Sequence, residues 1–222
     1  MDFYNNLNFE QLKAELLHEV KNPVSLIKAN IDYLQANDSG GVYEKNFGII
    51  KKELQKITTV VLDFLKSSKF LQTSEKEVIF IYDLISEIVE EFDTPFKDGK
   101  KIKFSLDCTD KDIKILGEYS KLCIVFFNLY KNSIEAIKNI GEIKAFIERE
   151  GDEVIIKITD NGDGLDENYK NNIGTPFFTT KINGSGLGLS ICKKVIESHK
   201  GSFKIFNNND KGCTALIKLK CH

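Results

Sequence analysis

The sequence predicts an α+β protein with two domains, an antiparallel helical hairpin over residues 1–72 and a domain with a mixed sheet over residues 73–222. Apolar residues recur at helical spacing through the N-terminal third. The segment LQTSEKE, near residues 71–77, breaks this pattern. Short β-type runs mixed with helices follow it. Because strands and helices do not strictly alternate there, we expect helices on one face of a mixed sheet.

Two long helices are predicted for the N-terminal domain. The first covers about residues 7–37 and ends at the stop and turn residues NDSGG. Its apolar stripe consists of Leu16, Val20, Pro23, Ile27 and Leu34. The second covers about residues 43–70. Its apolar positions follow a heptad seam made of Phe47, Ile50, Leu54, Ile57, Val61 and Phe64.

The short connection between these helices predicts that they pack antiparallel. Two amphipathic helices alone leave apolar surface uncovered, which favours a homodimeric four-helix bundle. A monomeric hairpin that packs on the rest of the chain is the alternative.

The stretch LLHEVKNPVSLI places polar residues beside a proline within the first helix. Pro23 removes a backbone hydrogen bond, so we expect a kink. At about 100° per residue, His18 lies on the exposed face opposite the apolar stripe. The same face carries Lys21, Asn22 and Ser25. Glu19 could orient the imidazole or accept its proton. A solvated helix face with an incidental histidine is the alternative interpretation.

Seven strands and three helices are predicted for the second domain. The strands are VIFI (78–81), KIKFSL (101–106), IKIL (113–116), EIKAFIER (142–149), EVIIKITD (153–160), GSFKIF (201–206) and CTALIKL (213–219). The helices cover about residues 82–96, 119–139 and 186–199. The fourth and fifth strands alternate apolar residues around the turn EGD, which predicts a hairpin.

One polar motif lies on a predicted helix, and a second lies at the end of a predicted strand. In NLYKNSIEAI, Asn128 and Asn132 share one helix face and could point two amide oxygens at one site. An amide oxygen together with nucleotide phosphates would suit Mg²⁺, which takes oxygen ligands. In DNGDGL, Asp160 ends a strand, where its carboxylate can accept a hydrogen bond from an exocyclic amine.

Two further motifs lie in loops. TPFFTTK, residues 175–181, carries two aromatics and a lysine that could reach a phosphate. GSGLGLS, residues 184–190, opens a helix, so its backbone N–H groups can cradle phosphates. It matches neither GxGxxG nor the P-loop. DNGDGLDEN fails as a calcium loop because its twelfth position is Asn171. Each glycine cluster taken singly also fits an ordinary turn.

Taken in order, the motifs resemble the boxes of the cytoplasmic core of two-component sensor histidine kinases of the nitrogen-regulation and sporulation-kinase type. HEVKNP is similar to the H box, NLYKNSIEAI to the N box, DNGDGL to the G1 box, TPFFTTK to the F box and GSGLGLS to the G2 box. The resemblance covers nearly the whole chain. It implies a dimerisation and phosphotransfer hairpin of HisKA type followed by a Bergerat (GHKL) α/β sandwich that binds ATP.

The resemblance also implies roles for individual residues. His18 would be the phosphoacceptor, Glu19 its acid–base partner and Asn22 the residue that orients water for phosphatase activity. ATP and Mg²⁺ would be the cofactors, with Asn132 as the metal ligand. The implied nucleotide-binding residues are Asn128, Asn132, Asp160, Gly162, Gly164, Thr180, Lys181, Gly184, Gly186, Leu187 and Gly188. Phe177 and Phe178 would dock a lid that runs from about Leu165 to Lys181.

The chain departs from the family pattern in three places. Glu118 stands where the family usually has Asp, which we expect to be benign. Gly174 and Thr175 replace an aromatic–acid pair, so we expect a looser lid. Only 17 residues precede His18, so we expect the signal to come from a separate sensory or regulatory protein, unless the sequence is a fragment of a longer kinase.

The resemblance implies an ATP-dependent protein-histidine kinase that phosphorylates His18 and passes the phosphoryl group to an aspartate of a response regulator. An extended form of this hypothesis adds phosphatase activity toward the same response regulator. A catalytically silent phosphotransfer or docking scaffold for a response regulator is the alternative. A GHKL serine kinase of the anti-sigma type is a third hypothesis, but it leaves the histidine-bearing hairpin without a role.

Composition excludes several other classes. The net charge of −2 over 222 residues gives no reason to expect nucleic-acid or anionic-membrane binding. No uncharged apolar run approaches the roughly 20 residues that span a bilayer. No signal peptide is visible, so we expect a cytoplasmic protein. The odd number of cysteines and the lack of CxxC favour buried thiols over zinc or disulfides. The cysteines are Cys108, Cys123, Cys192, Cys213 and Cys221.

Overall fold

A computed structural model of the chain describes residues 20–34, 46, 49–50, 53–54, 57, 75–92, 99–176, 178–181 and 186–222. The chain divides into two compact units, Met1–Lys69 with Thr175–Leu187 and Phe70–Gly174 with Gly188–His222. Among the helices in these described ranges, none has both the length and the apolar character needed to cross a membrane.

The first unit contains a helix, α1, over residues 20–34. Pro23 is buried within it, and Lys21, Asn22 and Ser25, three residues of the predicted polar face, are exposed. The Ser25 hydroxyl donates a hydrogen bond of 2.9 Å to the carbonyl of Lys21. Val24 and Ile31, which flank the predicted apolar stripe, keep 48% and 41% of their surface exposed.

Residues 46, 49–50, 53–54 and 57 are also helical and fall within the second predicted helix. Of the predicted heptad seam, Ile50 and Ile57 are half-buried and Leu54 is exposed. The remaining seam positions lie outside the described residues, as do Leu16, His18 and Glu19.

The described residues of the second unit form two sheets. A two-stranded sheet pairs β1 (Glu77–Phe80) with β3 (Lys114–Gly117) in antiparallel orientation. A five-stranded sheet has the order β2-β4-β5-β7-β6. Its strands are β2 (Lys101–Cys108), β4 (Ile140–Glu150), β5 (Glu153–Asp160), β6 (Ser202–Asn207) and β7 (Cys213–Lys220). Because β2 and β4 are parallel and the other pairs are antiparallel, the mixed sheet predicted from the sequence is confirmed.

In the described part of this unit, three α-helices accompany the sheets: α2 (Ile81–Phe92), α3 (Tyr119–Ala136) and α4 (Gly188–Ser198). A short 3₁₀ helix spans Glu167–Asn172. Apolar side chains from α3 and α4 are buried together with alternate residues of β4, β5 and β7, which gives an α/β sandwich with one core. Fully buried examples are Phe126, Ile147, Ile156, Ile196 and Ile217.

The principal boundary errors lie at the join between α3 and β4. The helix was predicted to reach residue 139, but it ends at Ala136 because Ile137 is extended, with φ −87° and ψ 127°. The strand begins at Ile140 instead of 142 because Ile140 pairs with Lys101 of β2. The predicted hairpin of β4 and β5 is confirmed, and β5 has the predicted bounds.

The prediction of buried thiols is correct for Cys192 alone. Burial raises the pKa of this thiol to about 12. The other four cysteines are half-buried: Cys108 and Cys213 lie at strand ends, Cys221 directly follows β7, and Cys123 lies on α3.

Candidate functional site

A buried carboxylate lies at the end of an inner strand of the five-stranded sheet. Asp160 is the last residue of β5 and is only 3% exposed. Its Oδ1 accepts hydrogen bonds from the backbone N–H groups of Gly162 at 2.9 Å and Cys213 at 3.4 Å. Its Oδ2 accepts hydrogen bonds from the Ser133 hydroxyl at 3.0 Å and the Cys213 thiol at 3.2 Å. Three separate chain segments therefore orient this carboxylate.

The loop between β6 and β7 fixes the backbone of Asp160 as well. The Asn208 amide donates hydrogen bonds to the carbonyls of Asp160 at 2.9 Å and Lys211 at 3.0 Å. Gly212 has a φ of +83°, and a Cβ atom there would lie 2.0 Å from the Asp160 carbonyl oxygen. Only glycine fits this position without displacing the strand end.

The loop that follows Asp160 lies against the end of α3 and the end of β6. A Cβ atom on Gly162 would lie 2.8 Å from backbone atoms of Ala136, so the two segments approach closely. Gly164, with a φ of +77°, lies beside the Asn207 side chain. The Asn207 amide accepts a hydrogen bond from Leu165 N–H at 2.6 Å and donates one to the Leu165 carbonyl at 2.8 Å.

One helix borders both Asp160 and the start of α4. Asn128 and Asn132 lie one turn apart on α3, and both are half-buried. Asn132 is followed directly by Ser133, which contacts Asp160. A Cβ atom on Gly188, the first residue of α4, would lie 3.3 Å from Asn128 Oδ1. The structure thus brings Asn128, Gly188 and Asp160 close to one helix, α3.

The other predicted site residues fall in the first unit or outside the described residues. Asn22 is exposed on α1, and Thr180 and Lys181 are exposed. Gly186 is half-buried and Leu187 fully buried. The backbone N–H of Lys181 donates a hydrogen bond of 3.1 Å to the Thr179 hydroxyl. His18, Glu19, Phe177 and Gly184 lie outside the described residues.

A buried histidine joins the two helices of the site, and sequence reasoning missed it. His199 Nε2 accepts a hydrogen bond from the backbone N–H of Glu118 at 3.0 Å. Its Nδ1 therefore carries the proton and donates a hydrogen bond of 2.8 Å to the Val195 carbonyl. Burial lowers the pKa of His199, which favours this neutral form.

Glu118, the departure from the family pattern, lies in the same cluster. Its carboxylate pairs with Lys121 at 2.7 Å, and both side chains are about one-tenth exposed. Glu118 therefore has a charged partner in the first turn of α3.

Ser133, Cys213 and Asn207 were also missed. Ser133 lies within the motif NLYKNSIEAI, so its neighbour Asn132 offered a signal. Cys213 and Asn207 flank the segment NNDKG, whose turn residues predict a tight connection but do not reveal that it closes on Asp160.

The arrangement fits a purine nucleotide. A carboxylate accepts hydrogen bonds from an amine, and the first turn of α4 offers backbone N–H groups that lack intrahelical partners. Within the described ranges, no group of three or more His, Cys, Asp or Glu side chains could hold a metal ion. Amide oxygens on α3 fit a Mg²⁺ ion that arrives with nucleotide phosphates, because Mg²⁺ commonly keeps few protein ligands.

Comparisons with known proteins agree with this geometry. Residues 117–222 match the profile of the histidine kinase-, DNA gyrase B- and HSP90-like ATPases. Sporulation kinase B of Bacillus subtilis (strain 168) is 32% identical over 215 residues, covering 94% of this chain and 49% of that protein. Sensor histidine kinase ZraS of Escherichia coli (strain K12) is 31% identical over 211 residues, covering 94% and 44%. The chain thus spans about half the length of these curated relatives.

Two solved structures are similar as well. The catalytic domain of histidine kinase ThkA superposes with a TM-score of 0.61 at 30% identity, covering 66% of this chain and 96% of that chain. A crystal structure of ThkA in complex with response regulator protein TrrA gives a TM-score of 0.67 at 26% identity, covering 98% and 64%. Residues 117–222 therefore belong to the family of histidine kinase-, DNA gyrase B- and HSP90-like ATPases, and the relatives that the chain resembles are histidine kinases.

Proposed function

We propose that the chain is an ATP-dependent protein-histidine kinase that phosphorylates its own His18. The observation that carries this proposal is the buried Asp160, oriented by four donors beside the helix that bears Asn128 and Asn132. Such a carboxylate can accept the exocyclic amine of adenine. The catalytic-domain relatives are histidine kinases, which supports the same activity.

In this proposal the nucleotide lies along the α3 face. Asp160 accepts the adenine amine, and Gly162 and Gly164 shape the pocket around the ring. Asn132 would hold Mg²⁺, supported by Asn128, and the ion would neutralise charge on the phosphates. The phosphates are contacted by Thr180, Lys181, Gly184, Gly186, Leu187 and Gly188.

The transfer step uses a neutral imidazole. A ring nitrogen of His18 attacks the γ-phosphorus while the bond to the β,γ-bridging oxygen breaks, and ADP leaves. Glu19 accepts the proton that the imidazole gives up. An aspartate of a response regulator then takes the phosphoryl group from His18. Asn22, which is exposed on α1, would orient water for phosphatase activity toward that regulator.

We further propose that residues 1–72 form a HisKA-type hairpin that dimerises into a four-helix bundle, and that residues 73–222 form the ATP-binding domain. Val24 and Ile31 support dimerisation because a helix that exposes nearly half of two branched apolar side chains gains stability when a partner covers them. The signal would reach the dimer from a separate sensory or regulatory protein in the cytoplasm. The nitrogen-regulation and sporulation-kinase subtype is part of the same proposal.

Incubation with γ-labelled ATP and Mg²⁺ tests this function. We expect an acid-labile, base-stable label that His18→Ala abolishes. His222→Ala is the matched control, since His222 is an exposed histidine at the other end of the chain, and it should retain the label. A label on serine, or one that survives His18→Ala, would refute the assignment.

A further inference from the structure

The Asp160 carboxylate has no accepting position to spare. A carboxylate offers about four lone-pair positions. In the structure Gly162 N–H and Cys213 N–H lie at Oδ1, and the Ser133 hydroxyl and the Cys213 thiol lie at Oδ2, at distances of 2.9, 3.4, 3.0 and 3.2 Å. An amine that approaches this carboxylate must therefore replace one of the four donors.

The Cys213 thiol is the donor that yields most easily. A thiol is a weaker donor than a hydroxyl or a backbone N–H. The backbone of Cys213 is fixed by pairing with Asn207 of β6, and Gly162 is held against Ala136. Ser133 is buried, at 7% exposure, whereas Cys213 is half-buried. Rotation about one side-chain bond removes the thiol from Oδ2 without moving the backbone.

We propose that the Cys213 thiol competes with the exocyclic amine of the nucleotide for Asp160 Oδ2, and that this residue thereby lowers the affinity of the site for adenine nucleotides. The inference rests on the proposed function. It makes Cys213 a residue that sets nucleotide affinity, and it predicts that the competition requires a base with an amine at the 6 position.

Calorimetric titration of the full chain with Mg²⁺–ADP tests the proposal. Cys213→Ala should bind ADP about threefold to tenfold more tightly than the wild type, the range expected for one hydrogen bond from a weak donor such as a thiol. Cys213→Ser should bind more weakly than the wild type because a hydroxyl is the stronger competitor. Cys221→Ala, one residue beyond the other end of β7, is the matched control and should leave the affinity unchanged.

Inosine diphosphate lacks the amine at the 6 position of the base. It therefore distinguishes competition between the Cys213 thiol and that amine from a general change in the shape of the pocket. Its affinity should not rise in Cys213→Ala. Ser133→Ala identifies the displaced donor: if it raises ADP affinity while Cys213→Ala does not, the proposal is wrong. An ADP affinity that falls or stays constant in Cys213→Ala also overturns it.

The S–H stretching bands of the wild-type protein give a test that needs no variant to fold. Saturation with ADP should move one thiol band to the higher frequency of a weakly hydrogen-bonded thiol. Unchanged bands in a protein that binds ADP refute this inference alone. A wild-type chain that fails to bind ADP refutes the proposed function, and this inference falls with it.

Discussion

The imidazole of His199, just after the end of α4, accepts a hydrogen bond at Nε2 from the backbone N–H of Glu118, just before α3, at 3.0 Å. The contact joins residues 81 positions apart. His199 therefore ties the end of α4 to the start of α3, the helix that carries Asn128, Asn132 and Ser133. We therefore expect the protonation state of this buried ring to influence the stability of the packing between the two helices.

Stability should depend on pH through His199. Burial lowers its pKa, with Glu118 opposing this effect and Lys76 and Lys121 adding to it. The folded protein thus binds this proton less tightly than the unfolded chain, so its contribution to the free energy of unfolding is full above about pH 6.5 and is lost as the pH falls toward the folded pKa. Thermal unfolding between pH 5 and 8 measures this.

The variant His199→Gln keeps an acceptor for the Glu118 N–H but cannot titrate. It should be less stable at pH 7.5 by about 1–2 kcal/mol, and its stability should fall less on acidification than that of the wild type. His222→Gln should follow the wild-type profile. Parallel profiles for wild type and His199→Gln would show that His199 does not carry the pH dependence.

Asp160→Asn should weaken nucleotide binding. The new amide places an NH₂ group among four donors and cannot accept the adenine amine as a carboxylate does. Loss of a hydrogen bond to a charged acceptor predicts about tenfold to hundredfold weaker ADP binding by calorimetry. Asp163→Asn is the control because Asp163 is half-exposed and pairs with the exposed Lys138, so ADP affinity should not change. Equal affinity in Asp160→Asn would contradict the assigned adenine contact.

Gly212→Ala should destabilise the domain by about 3 kcal/mol or more. The new Cβ would lie 2.0 Å from the Asp160 carbonyl oxygen, in a residue whose φ is +83°. Gly151→Ala is the control that measures backbone strain without a steric clash. Gly151 also has a positive φ, of +61°, but an added Cβ atom there would have no neighbour within 4 Å. The control substitution should cost about 1–2 kcal/mol, as measured by denaturant unfolding. Similar losses for the two variants would mean that the close approach to Asp160 contributes nothing.

Asn207→Ala should loosen the start of the proposed lid. The Asn207 side chain makes two hydrogen bonds to the backbone of Leu165 and one of 2.9 Å to Glu167 Oε1. Losing them should speed amide hydrogen exchange at Leu165 by about tenfold or more. Asn209→Ala, an exposed neighbour, should not alter this rate. Unchanged exchange in Asn207→Ala would show that the loop is held elsewhere.

Local patterns predicted the elements whose signals lie within a short stretch of chain. The strand β5 has the predicted bounds because apolar residues alternate along it and the turn EGD precedes it. The start of β4 was misplaced because Ile140 is held by Lys101 of β2, which lies 39 positions earlier. Parallel pairing of this kind leaves no local signal.

The same distinction applies to the site. Asp160, Asn128 and Asn132 were predicted because each lies in a contiguous motif. The resemblance to histidine kinases then assigned a role to each motif. The contacts of Cys213 with Asp160 and of His199 with Glu118 join residues 53 and 81 positions apart. Such contacts follow from the pairing of strands and the crossing of helices, which periodicity does not reveal.

Transfer of a phosphoryl group to His18 is the central claim, and mass spectrometry at alkaline pH after incubation with ATP and Mg²⁺ tests it most directly. The account predicts one phosphoryl group on the peptide that contains His18 in the wild type and a greatly reduced amount in Asp160→Asn. A phosphoryl group on a serine or threonine, or a protein that binds ATP and acquires none, would contradict it.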